Sequence, residues 1–385
     1  MIGRRISHTR CCLLFFLIFL LVIQFFYLPP QVEASTGEPD IQAKAAVLID
    51  ESSGRVLFAK NPHLRLPQAS TTKMMTCLLV IENGDLDKEV RISKHAAETG
   101  ESSIWLEEGE VLTREDLLYA LMLASANDAA VALAESVAGS EEKFVELMNK
   151  RAKELKLYDT HFVNPHGLDA EGRYSSAYDL AILAREGLSN ELFSHVVTTI
   201  EWTVPWSGHP WDRYLYNRNK LLTTYQGARG VKTGYTSKAG LCLVGAAQRG
   251  KLKLISAVMN SPNVYDDTQK LLDYGFNNFE AVVVEEAKRV SDVKVKGGTK
   301  TSVSIKPEQE VVVAVLPEEK EQLSFKLEIP DQLEAPVKKG EVVGKGRVLL
   351  NGKELTEIDY LAQETIPQKP PIWTRVFNWL KGLFS

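Results

Sequence analysis

Three short motifs stand in one order along the chain: Ser70-Thr71-Thr72-Lys73, Ser125-Ala126-Asn127 and Lys232-Thr233-Gly234. A chain that uses all three must bring a helix start, a break between helices and a strand edge to one cleft. Each motif alone is weak. S-x-x-K recurs at Ser140/Lys143 and Ser291/Lys294, and S-x-N recurs at Ser261/Asn263. Lys-Thr-Gly occurs once, and chance would place it in fewer than roughly one chain in ten of this length. The ordered set points to acyl transfer through an activated serine.

Met74, Cys77, Leu78 and Ile81 recur at helical spacing and Asn83-Gly84 gives a stop, which predicts a helix from about Ser70 to Asn83. Ser70 and Lys73 then project from one face of its first turn. A serine hydroxyl needs a neighbour to take its proton. A lysine does so only when burial or another cation lowers its pKa, and Lys232 is a candidate cation. The bland alternative is a helix cap at Ser70 and a solvated Lys73.

Thr113 begins a second helix, with Asp116 completing a capping-box pattern and Leu117, Leu118, Leu121 and Met122 on its apolar face. Ser125-Ala126-Asn127 falls in the break before an alanine-rich helix, Ala129 to Ala138, where Ser125 or Asp128 could cap. Lys232-Thr233-Gly234 precedes an apolar run, Leu241 to Ala247, that turns at Arg249-Gly250 into Leu252 to Met259. That is a hairpin. It puts Lys232 and Thr233 near a strand edge, able to hold a carboxylate, with Gly234 allowing close backbone approach.

The motif set is that of penicillin-binding proteins and serine β-lactamases. The chain resembles the D-alanyl-D-alanine carboxypeptidases among the former, and the likeness extends beyond the trio. Ala46 to Asp50, a turn through Ser53-Gly54, and Val56 to Phe58 look like that family's opening hairpin. Pro67 to Lys73, His161 to Asp169, Tyr174 to Asp179 and Tyr216 to Asn219 are similar to its typical stretches. The strong resemblance runs from about Ala43 to Asn278.

The resemblance implies that Ser70 attacks the penultimate D-alanine carbonyl of a peptidoglycan stem peptide while Lys73 takes its proton. Ser125 would relay a proton to the leaving D-alanine and Asn127 would orient the acyl chain. Lys232 and Thr233 would hold the terminal carboxylate beside Gly234. The N–H groups of Ser70 and Tyr235 would form the oxyanion hole, and β-lactams would acylate Ser70 and leave slowly. Two positions depart from the family pattern. Tyr235 follows Lys-Thr-Gly where some relatives have histidine. Ser261 to Tyr265 lacks an arginine that some relatives use on the carboxylate. Arg218 either contributes there or braces the Lys232 strand.

Arg4, Arg5 and Arg10 precede an apolar run, Cys11 to Tyr27, and Val32-Glu33-Ala34 offers a cleavage site. Residues 1–34 thus read as a secretory signal, an uncleaved anchor being the alternative. Cys77 and Cys242 are then the remaining cysteines, both core-like, and two do not make a disulfide framework. A formal net charge of −5 gives no reason to invoke nucleic acid. Seven histidines show no H-E-x-x-H spacing, so no metal is expected, and no Gly-rich phosphate loop follows a strand, so no nucleotide or other cofactor is expected.

The expected fold class is α/β (α+β). Residues 41–280 should form a β-lactamase/transpeptidase-like catalytic domain, an antiparallel sheet flanked by helices with a helical subdomain. Ser140 opens a further helix there, and Leu271, Leu272 and Phe276 close the domain. Residues 281–365 should form a small all-β, sandwich-like domain, with Leu323, Phe325, Leu327 and Ile329 alternating on a half-buried strand. It would be a spacer or a partner-binding module. Residues 366–385 read as a linker and an amphipathic helix. Over 372–385, Trp373, Val376, Phe377, Leu380, Leu383 and Phe384 share one face, with Arg375, Asn378 and Lys381 largely opposite. That helix is too short to span a bilayer and suits its anionic surface, which would hold an exported enzyme at the outer face of the cytoplasmic membrane. The alternative is a helix docked on its own domain.

Two rival functions stay open. A β-lactamase needs rapid deacylation, but no E-x-x-x-N segment stands between the second and third motifs; His166 occupies a glycine-flanked loop. A non-catalytic penicillin-binding sensor or scaffold would not need the trio intact.

Overall fold

The structure is a computed structural model that describes residues 37–370. The expected signal over residues 1–34 and the amphipathic helix over 372–385 lie outside the described residues.

A five-stranded antiparallel sheet forms the centre: β1 (Ala45–Asp50), β2 (Val56–Lys60), β3 (Ala228–Thr236), β4 (Gly240–Arg249) and β5 (Leu252–Ser261), in the order β2-β1-β5-β4-β3. Every residue of β1 is buried, and strand alternation sends its side chains to two different cores. Ala45, Val47 and Ile49 join a large cluster on one face, and Ala46 and Leu48 a smaller one on the other. The helix α1 (Lys73–Glu82) is buried from Lys73 through Val80, as a central helix must be. α2 (Arg114–Tyr119) packs on α3 (Asn127–Ala138), and around α1 pack α3, α4 (Glu141–Glu154), α5 (Ala177–Ser189) and α6 (Glu191–Thr198). On the opposite face α7 (Val264–Asn278) lays Leu271 and Leu272 against the sheet. β3 is the outer strand, so Lys-Thr-Gly lies on a true edge, as the hairpin pattern predicts.

Two repeats of the weak S-x-x-K pattern have structural roles. The Ser140 hydroxyl accepts the Lys143 N–H at 3.3 Å and caps α4. Ser291 and Lys294 lie along a strand, Ser291–Lys296.

From Glu280 the chain is dominated by strands. It builds a pair, β6 (Glu280–Val283) and β9 (Val312–Val315), and a six-stranded sheet of β7 (Ser291–Lys296), β8 (Ser302–Pro307), β10 (Leu323–Glu328), β11 (Gln332–Glu334), β12 (Val342–Leu350) and β13 (Lys353–Ala362). Val293, Val303, Ile305, Val313, Val348 and Tyr360 make its core. The alternation of Leu323, Phe325 and Leu327 appears on β10, but the strand stops at Glu328 and Ile329 lies beyond it. Residue 366, the expected start of a linker, belongs to the strand-rich part. Ile366 is fully buried and bridges Val337, and Gln368 bridges Gly298, so apolar burial ties this stretch to the sheet.

The strand-rich part is clamped to the first. Asp50, buried, accepts N–H groups from Ser53 at 3.2 Å and Ala314 at 3.1 Å. Arg55 meets Glu319 through two bonds of 2.7 Å and also donates to the Ala314 carbonyl at 3.0 Å. A bidentate, half-buried pair of this kind fixes orientation as well as adding energy.

Candidate active site

The predicted helix start is a 3-10 turn, Ala69–Thr72, running into α1 at Lys73. Ala69 has φ of +48° there. The turn sets Ser70 at the surface of the core while Lys73 is fully buried. Lys73 Nζ stands 3.1 Å from Ser70 Oγ, 2.7 Å from Asn127 Oδ1 and 2.7 Å from the His166 carbonyl oxygen. The helix-cap and solvated-lysine alternative fails on both residues: Ser70 caps nothing and Lys73 sees no solvent.

The second motif is delivered by an irregularity. α2 widens into a π-helical turn, Ala120–Ala124, and Ser125 follows in the left-handed region at φ 60°, ψ 34°. Such turns and such strained non-glycine residues gather at working sites. Asn127 is the first residue of α3 rather than part of the break. Its amide nitrogen donates to the Gly100 carbonyl at 2.9 Å, which turns Oδ1 toward Lys73. Neither Ser125 nor Asp128 caps α3; the N-cap is Ala126, without a side-chain bond. The Asp128 carboxylate instead accepts the Ser103 hydroxyl at 2.6 Å and the N–H groups of Ile104 and Leu106 at 3.1 Å, pinning the loop that carries Ser102.

The third motif lies along β3. A β-carbon on Gly234 would sit 3.1 Å from the Ser70 nitrogen, so the edge strand and the nucleophile turn are in close contact. Lys232 is buried, Thr233 half-buried and Tyr235 exposed. Arg218, exposed, donates to Ser102 Oγ at 3.0 Å, and its charge acts on the buried Lys232.

The electrostatics concentrate on the two buried lysines. Burial first, then the charges of Lys232 and Arg218, and finally Arg173, hold Lys73 well below the ordinary lysine range, opposed only by Asp128. Burial, then Arg218, brings Lys232 down to about 7.

Sequence reasoning singled out His161 to Asp169 but gave this segment, which closes the site from below, no contact with Lys73. The turn 164–168 presents its carbonyl to Lys73, and no side-chain pattern reports a backbone acceptor. Thr76 Oγ1 donates to the Pro165 carbonyl at 2.6 Å, and Asn164 Oδ1 accepts the Gly167 N–H at 2.7 Å. Arg173, buried, donates to the Gly167 carbonyl and to Asp169 at 2.6 Å, while Asp169 accepts the Thr236 hydroxyl at 3.0 Å. The turn is thereby tied to the end of β3. Among the described residues no group of three or more His, Cys, Asp or Glu could hold a metal ion.

With this geometry the chain can be set beside known proteins. A family model described as D-alanyl-D-alanine carboxypeptidase matches residues 32–263, more than half the chain. The chain belongs to the D-alanyl-D-alanine carboxypeptidase family. A second model, penicillin-binding protein 5, C-terminal domain, matches residues 279–368. The D-alanyl-D-alanine carboxypeptidase DacF of Bacillus subtilis is 38% identical over 341 residues, covering 86% of this chain and 87% of that protein. DacD of Escherichia coli is 36% identical, covering 84% and 80%. The crystal structure of penicillin binding protein 5 from Haemophilus influenzae is similar with a TM-score of 0.67 at 32% identity, covering 87% of this chain and all of that one. The fold is thus the mixed α/β penicillin-binding protein fold with a C-terminal β-sheet domain.

Proposed function

We propose that this member of the family removes the terminal D-alanine from peptidoglycan stem pentapeptides through an acyl-enzyme on Ser70. The observation that carries the reading is the bonding of Lys73. A neutral amine has two N–H groups and one lone pair. Asn127 Oδ1 and the His166 carbonyl, each at 2.7 Å, take the two N–H groups. The lone pair is left facing Ser70 Oγ at 3.1 Å. Burial and the neighbouring cations favour the neutral form that this requires.

In the reaction the Ser70 oxygen bonds to the carbonyl carbon of the penultimate D-alanine as its proton passes to Lys73. The N–H groups of Ser70 and Tyr235 stabilise the oxyanion. Support for the first comes from its place in an opening helical turn, where N–H groups lack intrahelical partners. The carbon–nitrogen bond then breaks, and the leaving D-alanine takes a proton through Ser125. Water hydrolyses the ester and restores Ser70. Lys232, Thr233 and Arg218 hold the terminal carboxylate, Gly234 admits the peptide backbone, and Asn127 orients the acyl chain as well as Lys73. Arg218 is suited by its exposure and its effect on both lysines. β-Lactams acylate the same Ser70 and leave slowly.

The catalytic part is read as residues 41–280, with the β-rich part as a spacer. Residues 1–34 export the chain, and 372–385 hold it at the outer face of the cytoplasmic membrane. Deleting 372–385 should release the protein from membranes; retention would refute the anchor. For the activity, D-alanine release from a stem pentapeptide is measured with the full chain, wild type beside Ser70→Ala. Release by the wild type alone is expected. Release by both would remove Ser70 from the mechanism, and rapid nitrocefin turnover without D-alanine release would make the chain a β-lactamase.

A further inference from the structure

We infer that Glu141, through the charge it sets against the ring of His166, sets part of the acid limb of Ser70 acylation. The inference rests on the reading of Lys73 as the base.

His166 reaches Lys73 only through its backbone carbonyl, at 2.7 Å. Its ring is nearly buried behind that contact, with 10% of the side chain accessible. Nδ1 accepts the Leu168 N–H at 3.1 Å. That bond assigns the tautomer: Nδ1 is bare and Nε2 carries the proton. Nε2 faces Glu141 Oε1 at 3.6 Å, too long for a hydrogen bond but close enough for the carboxylate to favour a protonated ring. The other Glu141 oxygen lies 3.4 Å from His95 Nε2, and His95 Nδ1 lies 3.0 Å from Glu135. One carboxylate in the first turn of α4 therefore serves two imidazoles, one at the surface and one against the catalytic lysine.

The charged groups around the His166 ring are Glu141 from α4, Lys73 from α1 and Arg173, itself paired with Asp169. Burial, foremost, lowers the His166 pKa, and Glu141 opposes this. Protonation has a defined structural consequence. A proton on Nδ1 would face the Leu168 N–H donor to donor, so that bond must break. Leu168 is two residues from the carbonyl that aims Lys73, and the whole 164–168 turn is short. The new cation would favour neutral Lys73, but the acceptor that directs its lone pair would be displaced. Acid therefore acts on this site through His166 as well as through Lys73.

The test is the rate of Ser70 acylation by a fluorescent penicillin against pH, on the full chain. It compares wild type, Glu141→Gln, His166→Gln and the double variant. Removing the Glu141 charge lowers the pKa of His166, so the Glu141→Gln acid limb should move to lower pH by about half a unit. In the His166→Gln background the same change should move it by no more than roughly 0.1 unit, a coupling read as a double-mutant cycle. An unmoved limb in Glu141→Gln overturns the inference even if the rate falls, since a purely structural role lowers rates without shifting the limb. A shift that persists without His166 also overturns it, because Glu141 would then act on Lys73 directly. Wild-type protein that is not acylated at any pH would refute the serine reading, and the inference with it.

Discussion

Gly167 ties the turn beneath Lys73 to the nucleophile turn, and Gly167→Ala should damage fold and activity together. Its φ is +92°, and a β-carbon there would lie 2.0 Å from the Ala69 carbonyl oxygen and 2.6 Å from the Ala69 carbonyl carbon. The obstacle is backbone, and Ala69 already sits at φ +48° next to Ser70, so neither side yields cheaply. Gly172 is the internal control: φ is +79° and nothing lies within 4 Å of its would-be β-carbon. Left-handed backbone alone costs a non-glycine residue about 1–2 kcal/mol. Forced overlap in a packed region adds about 1–3 kcal/mol. Gly172→Ala should therefore lower stability by about 1–2 kcal/mol and Gly167→Ala by about 2–5 kcal/mol. At roughly 2–4 °C per kcal/mol for a domain of this size, calorimetry separates the two. A displacement of Ser70 near 1 Å should slow its acylation by about 10²-fold in Gly167→Ala, while Gly172→Ala acylates within about twofold of wild type. The reasoning is refuted if the two variants melt alike and both acylate at the wild-type rate.

Three further outcomes follow from the charges. Lys73→Arg keeps a cation but loses the base, because guanidinium does not deprotonate; acylation should fall by about 10²–10⁴-fold in stopped-flow labelling. Lys232 has a folded pKa of about 7, below its unfolded value, so the unfolded chain binds more protons between those values. Stability should rise with pH from about 7 toward the ordinary lysine range, and this rise should shrink in Lys232→Met, measured by melting across that window. The same variant should be more stable than wild type at pH 7, by a few kcal/mol at most, and should raise KM for the stem peptide. Glu319→Ala breaks the clamp to Arg55 and should lower the melting point by a few degrees, with Ser70 acylation kept within about twofold.

Much of this was legible in the residues, for identifiable reasons. Apolar periodicity located α1 and α4, and the apolar runs located the β4–β5 hairpin, because each buries a continuous face. Lys-Thr-Gly placed itself on an edge because the strands that follow it are apolar throughout. The boundaries were less legible. The nucleophile turn is 3-10, and the break at Ser125 is a π turn with a left-handed residue, neither of which has a periodic signature. Asp128 looks like a cap in sequence and instead pins residues 103–106. The His166 carbonyl is a backbone group, invisible to any reading of side chains. Ile366 stood at the start of the stretch read as a linker, before Pro367, Pro370 and Pro371; only the fold shows its burial against the β-sheet.

The central claim is covalent acyl transfer through Ser70, and it is tested most directly by trapping the enzyme during turnover of a D-Ala-D-Ala pentapeptide. Rapid acid quench, digestion and mass spectrometry would locate the adduct. The account predicts a peptide carrying Ser70 that has gained the acyl group of the substrate less its terminal D-alanine. The same adduct should accumulate if hydrolysis is slowed, and it should be absent in Ser70→Ala. D-Alanine released with no adduct under any quench time, or an adduct on another side chain, would contradict it.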